Sequence, residues 1–295
     1  MTAIKRLIPN LFTAGNLVGG ILAIIFSLTG RIDLAPYCIF ASAIFDFLDG
    51  FMARLLKVPS EMGKQLDSLA DMVTFGVAPG VMVFVLLDLA NGFTQTSVIQ
   101  SAHNAMYGNL IDSSCANFDM YISDFAIIND GIFISGLDVG SLQHGHLPFP
   151  YQSIPWLAFL IPVFALFRLA KFNIDTRQSD SFIGLPTPAM TLFFASILVI
   201  MFTSSATIFN SSNSFLFLIH PWVLATLTVI MSILMVVELP LFALKFKHFK
   251  WKGNEIRFIF LTICILLLAT LFFWAIPLII ILYVILSLIN TRIAK

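Results

Sequence analysis

At 295 residues, 59% hydrophobic and only 11% charged, with a mean hydropathy of +0.95, the chain is not an ordinary soluble domain and reads as an integral membrane protein. Its 16 basic and 16 acidic residues cancel, but they are far from evenly placed. Cys38 and Cys264 lie in apolar runs and Cys115 stands alone in a polar loop, so no paired framework points to a disulfide-built fold.

The N-terminal "MTAIKRLIPN" is basic, and the apolar run behind it is interrupted by Gly15, Gly19 and Gly20. No small-residue cleavage site follows, so the segment is expected to be retained rather than removed as a signal peptide. A helix needs about 20 apolar residues to cross a bilayer. That window predicts spans near 11–29, 36–56, 67–89, 154–172, 188–206 and 215–237. A last apolar stretch, 258–289, is 32 residues long: too long for one ordinary span, short for two, with Pro277 near its middle to mark a tight hairpin.

Charge bias decides between the two counts. If Lys5 and Arg6 are inside, eight spans also put Arg54, Lys57, Lys64, Arg168, Lys171, Arg177, the run from Lys245 to Arg257, Arg292 and Lys295 inside. Only Arg31 falls outside, and the outer loop 90–153 holds five aspartates and no Lys or Arg. The expected fold is an all-α, polytopic membrane helical bundle of eight spans, with seven as the alternative.

The segment "DFLDGFMARLLKVPSEMGKQLDSLAD", residues 46–71, puts four carboxylates at the ends of apolar helices. Charge at membrane depth is costly, which makes these acids functional candidates. Asp46 and Asp49 share one helical face, as do Asp67 and Asp71 on the next helix. "KVPSEMG" turns the chain between them, so all four are expected at similar depth near the inner boundary. Unpaired, they would repel one another; a hard divalent cation removes that conflict. Two ions would clamp a displacement at phosphorus. Gly50 and Ala53 keep a helix face bare, and Arg54 offers a guanidinium fork to phosphate oxygens. The plainer alternatives are helix-start acids, interfacial anchors and helix-packing residues.

Asp49, Gly50, Ala53, Arg54, Gly63, Asp67 and Asp71 match the pattern D-G-x2-A-R-x8-G-x3-D-x3-D, with Asp46 three residues upstream. This resembles the signature of the CDP-alcohol phosphatidyltransferase family, with every fixed position present. The resemblance implies a membrane enzyme with a six-helix core, usually a homodimer, that exchanges the CMP of a CDP-lipid for an alcohol. Residues 1–240 would be that core, interrupted by the loop 90–153; residues 241–295 would add a basic inner-face segment and a terminal helical pair. It further implies that Asp46, Asp49, Asp67 and Asp71 surround Mg²⁺ or Mn²⁺, as two ions, and that Asp71 takes the acceptor's proton. Gly50, Ala53 and Arg54 would line the cytidine-diphosphate pocket, and Gly63 would shape the turn. "PNLFTAGN" is similar to the family's first-helix element, with Asn10, Thr13 and Asn16 at its polar positions. Those side chains either touch the nucleotide or are satisfied by neighbouring helices.

"FRLAKFN" (167–173) and "FIGLPTPA" (182–189) resemble stretches of the serine-using bacterial and archaeal members, apart from Lys171 where Arg is usual. The implied partners are CDP-diacylglycerol, L-serine and membrane lipid, with the site on the cytoplasmic face of a bacterial inner membrane. Arg168 and Lys171 would meet the serine carboxylate, and the Asn173 amide oxygen its ammonium; both cations are also ordinary inner-face anchors. Gly184, Pro186 and Pro188 are expected to shape a loop beside the site.

His103, His144 and His146 lack metal-ligand spacing and read as loop histidines. The run 245–257, with Phe246, Phe249 and Trp251, reads as an interfacial segment near anionic headgroups rather than a nucleic-acid site. Glycerol-phosphate or inositol-phosphate acceptors stay open on charge alone. A membrane prenyltransferase would place its two acid clusters in separate halves, and a transporter would show repeated halves; neither pattern is present.

Overall fold

The first helix has to bring polar side chains against two neighbours, and its glycines make that possible. The computed structural model describes residues 2–58, 60–90, 127–128, 131–132, 153–174, 182–208, 220–241 and 254–293. The loop histidines, Cys115, Pro59, Arg177, the basic aromatic run at 245–252 and Lys295 lie outside them. Helix α1 spans Thr2–Leu28 and packs along α2, Ala35–Leu55. A Cβ on Gly19 would run into Ser42 Oγ, and one on Gly20 into Thr74 Oγ1. Small residues let membrane helices approach this closely. The closeness is used: Ser42 and Thr74 both donate to the Asn16 carbonyl oxygen, at 3.2 and 3.0 Å.

Helix α2 begins with Pro36 in its first turn and ends beyond Arg54. Lys57 then adopts a left-handed backbone, φ 53°, which turns the chain back. Ser60 caps the next helix, its Oγ accepting from the Gly63 N–H at 3.0 Å. That helix, α3, runs over Glu61–Ala90 and contains one π-helical turn, Val73–Val77, directly after Asp71 and Met72. An extra residue per turn rotates the side chains beyond it by about 100°. The acids of the first half and the core-facing Met82, Leu86 and Leu87 of the second half are thereby each turned to where they pack.

A 3-10 turn, Pro155–Phe159, leads into α4, Leu160–Ile174; α5 is Thr187–Ile208 and α6 Pro221–Val236. The core centres on α3 to α6, around Phe75, Met82, Ile161, Phe194, Leu198 and Leu224, and takes in Ala23 of α1 and Ile39 of α2. Two two-residue strand pairs accompany the helices. Ile127–Ile128 (β1) pairs with Gly131–Ile132 (β2), and Phe182–Ile183 (β3) with Pro240–Leu241 (β4), both antiparallel.

The last apolar stretch is a hairpin. Helix α7, Glu255–Leu271, and α8, Ala275–Ile293, are joined by the 3-10 turn Phe272–Trp274, where Phe272 has φ 49°. The Phe260 and Tyr283 rings meet at 5.7 Å, which two antiparallel arms require. Pro277 sits inside the first turn of α8 rather than at the apex, because a proline fits a helix start and Phe272 makes the bend. Eight helices are therefore present among the described residues. Four stretches are long and apolar enough to cross a membrane by themselves: Leu7–Leu28, Glu61–Ala90, Pro155–Ile174 and the hairpin as Glu255–Ile289. Helix α2 is apolar for most of its length but carries Asp46, Asp49 and Arg54 at one end. Many large apolar side chains of α1, α2, α7 and α8 face outward, as a lipid-facing surface needs.

Replacing Gly20 by leucine should force α1 away from Thr74 and cost roughly 1–3 kcal/mol, the usual penalty of overpacking. The check is the thermal midpoint in detergent; an unchanged midpoint would mean that α1 does not press on α3 at this point.

Candidate active site

The tight α2–α3 connection brings the acids of both helices together. One carboxylate oxygen from each of Asp46, Asp49 and Asp67 lies within 4.8 Å of the others, and the Asp71 carboxyl adjoins Asp46. Asp49 is almost fully enclosed. Two like charges at about 4 Å repel by roughly 4 kcal/mol at the effective dielectric typical near a protein surface. The arrangement therefore needs compensating donors or a cation.

Helix α1 supplies part of the compensation. Thr13 Oγ1 donates to Asp49 Oδ2 at 2.7 Å, and Asn16 Nδ2 donates to Asp71 Oδ1 at 3.0 Å. Two of the polar positions of "PNLFTAGN" thus meet the acids directly, while Asn16 Oδ1 is buried with no hydrogen-bond partner. Asn10 stands beside the start of α3, where its Oδ1 is 3.6 Å from the position a Cβ on Gly63 would take. Gly63 itself carries the backbone N–H that Ser60 caps.

The donor set fits a hard divalent cation. It offers three carboxylates converging from two helices, and Asp67 Oδ1 is buried with no hydrogen-bond partner within the protein. Gly50 faces open space, with nothing within 4 Å of where a Cβ would stand, while Ala53 is half-buried and Arg54 exposed at the end of the same helix. The acids and the bare, cationic helix end therefore adjoin one another on α2.

On α4, the three residues singled out by sequence take different positions. Arg168 points inward: its Nη1 donates to Thr187 Oγ1 at 3.1 Å, its Nε is buried without a partner, and it lies close enough to Asp71 to interact electrostatically. Lys171 Nζ pairs with Glu238 at 2.6 Å. The Asn173 amide pairs with Ser68 of α3, donating at 3.0 Å and facing its hydroxyl again at 3.4 Å. Ser68, Thr187 and Glu238 carry no role in the sequence analysis, although Thr187 lies within "FIGLPTPA", Ser68 directly follows Asp67 and Glu238 directly follows an apolar run.

The crowding of acids has a consequence for stability. In chelator, Asp67→Asn should raise the thermal midpoint by relieving repulsion, whereas added Mn²⁺ should stabilise the wild type more than the variant. A variant that melts lower than wild type in chelator would mean the carboxylates do not strain the fold.

Residues 6–106 match the family model described as CDP-alcohol phosphatidyltransferase. A Helicobacter pylori protein named CDP-diacylglycerol–serine O-phosphatidyltransferase is 30% identical over 197 residues, covering 66% of this chain and 56% of that one. A Bacillus subtilis protein of the same name is 28% identical over 248 residues, 84% of this chain and 94% of its own. A Saccharomyces cerevisiae protein of that name is 48% identical over 64 residues, 21% of this chain and 23% of its own. The chain spans about half the length, 56%, of the Helicobacter pylori relatives it matches. The matched region, residues 6–106, holds all four acids and the helices that gather them, and it is this part of the chain that is similar to the CDP-alcohol phosphatidyltransferase family.

Proposed function

We propose that this protein transfers the phosphatidyl group of CDP-diacylglycerol to the hydroxyl of L-serine and releases CMP, a step of phospholipid biosynthesis. The observation that carries the reading is the meeting of Asp46, Asp49 and Asp67 beside Asp71, within the matched domain. The relatives' shared name supports serine as the acceptor.

Asp46, Asp49, Asp67 and Asp71 would hold Mg²⁺ or Mn²⁺, as two ions. Bound there, the metal supplies positive charge against the pyrophosphate oxygens. The chain's own residues do the rest. Gly50 and Ala53 leave the α2 face low enough for the nucleotide to lie against it, and the Arg54 fork binds the diphosphate. Asn10, Thr13 and Asn16 border the same pocket; Thr13 and Asn16 hold Asp49 and Asp71 in direction, and Gly63 keeps the turn tight. Arg168 and Lys171 draw the serine carboxylate, with Asn173 on the same helix. Asp71 accepts the serine hydroxyl proton. The oxygen then bonds to the lipid-side phosphorus as the phosphorus–oxygen bond to CMP breaks, the electron pair leaving with CMP.

In this reading the acids face the cytoplasm at a bacterial inner membrane, a placement supported by the bias of basic residues to one side. Residues 1–240 are the catalytic core with the loop 90–153 inserted, residues 241–295 are an appendage, and the active unit is a homodimer.

Purified protein in detergent, given CDP-diacylglycerol and Mn²⁺, should release CMP with serine and not with glycerol 3-phosphate or inositol phosphate, and chelator should stop it. Asp71→Asn should lower kcat by about 10²–10⁴ while CDP-diacylglycerol still binds. Near-normal turnover in that variant would remove Asp71 as the base. Release with a different alcohol would keep the acid chemistry and discard serine.

A further inference from the structure

An acceptor that carries both a carboxylate and an ammonium needs an anion as well as a cation in its pocket. The sequence offers the Asn173 amide oxygen for the ammonium, but Asn173 is turned to Ser68, its Nδ2 donating there at 3.0 Å, and an amide brings no charge. The structure brings a full negative charge to the same helix instead. Glu238 stands against Lys171 at 2.6 Å, one turn of α4 beyond Arg168. We propose that Lys171 and Glu238 together form a receptor for a zwitterionic acceptor, with Lys171 taking its carboxylate and Glu238 its ammonium, so that Glu238 determines specificity. The inference rests on the functional reading above.

Glu238 is not a loosely hung surface acid. It is the middle residue of a three-residue turn at the end of α6, closed by the Leu239 N–H donating to the Val237 carbonyl oxygen at 2.7 Å. That turn is held from the other side by the strand pair of Ile183 with Pro240, and by the Gly184 N–H donating to the Leu239 carbonyl oxygen at 3.0 Å. Gly184 has φ 77°, and a Cβ there would stand 2.5 Å from the Met235 carbonyl oxygen, so only glycine allows this docking. The "FIGL" segment thus fixes the backbone that presents Glu238 to Lys171.

The exposure of the pair suits a receptor. The Lys171 and Glu238 side chains are 40% and 60% exposed, and an ion pair this open contributes little to stability. A zwitterion inserted between them replaces one pairing by two, with no net change of charge. A phosphate-bearing alcohol brings two negative charges toward Glu238 and is repelled. This is the discrimination that the cations alone, Arg168 and Lys171, cannot provide.

The competing account is a latch, in which the pair merely ties the end of α6 to α4. A latch predicts lower stability whatever the acceptor; a receptor predicts a change of preference. The test compares CMP release with L-serine and with 3-hydroxypropionate, which keeps the hydroxyl and carboxylate but lacks the ammonium. Glu238→Gln should raise the KM for serine about tenfold or more and leave the KM for 3-hydroxypropionate, the KM for CDP-diacylglycerol and the thermal midpoint nearly unchanged. Glu238→Asp should recover part of the serine preference. If both acceptors shift together, or the midpoint falls while the preference stays, the pair is a latch and the receptor is refuted. Absence of serine-dependent release from the wild type overturns the functional reading itself, which separates the two failures.

Discussion

Four carboxylates crowded among apolar helices are the constraint on which the rest of the architecture depends. Carboxylates held this close and away from water oppose one another's charge. They stay together because α2 and α3 are joined by a connection too short to let them part, reversed at Lys57 and restarted by the Ser60 cap. The repulsion that results is what a divalent cation would neutralise.

Helix α1 is the counterpart of that cluster. Its glycines remove the bulk that would hold it away from Ser42 and Thr74, and its carbonyl at Asn16 then receives both hydroxyls. The same helix face delivers Thr13 to Asp49 and Asn16 to Asp71. Close backbone approach and acid positioning are thus one arrangement. The π turn after Asp71 extends it: Thr191 of α5 donates to the Phe75 carbonyl oxygen within that turn at 3.0 Å. Thr187, one helical turn before Thr191, holds Arg168. One face of α5 therefore steadies both the helix that carries two acids and the cation directed toward Asp71.

The opposite wall is built from segments far apart in the chain. Ser68 ties α3 to α4 through Asn173, and the docking of residues 182–185 on the end of α6 sets Glu238 against Lys171. This side is more open than the acid cluster: the Lys171 and Glu238 side chains are 40% and 60% exposed, whereas Asp49 is buried.

The sequence by itself determined the membrane class, the positions of the helices and the gathering of Asp46, Asp49 and Asp67, because each follows from local rules. Apolar run length sets a span, i, i+3 and i, i+4 spacing sets a face, and a short breaker-containing turn forces two helix ends to the same depth. Even the terminal hairpin was legible from its length and the charges at its end, although the bend falls at Phe272 rather than beside Pro277. The tertiary structure alone decided which donors answer the acids, that α3 changes its helical phase after Asp71, that Arg168 turns inward to Thr187 while Lys171 turns to Glu238, and that Asn173 meets Ser68. Those pairings join residues up to 105 positions apart. Nothing in the spacing of one helix specifies which side chain of another will stand opposite it; packing of the whole bundle does.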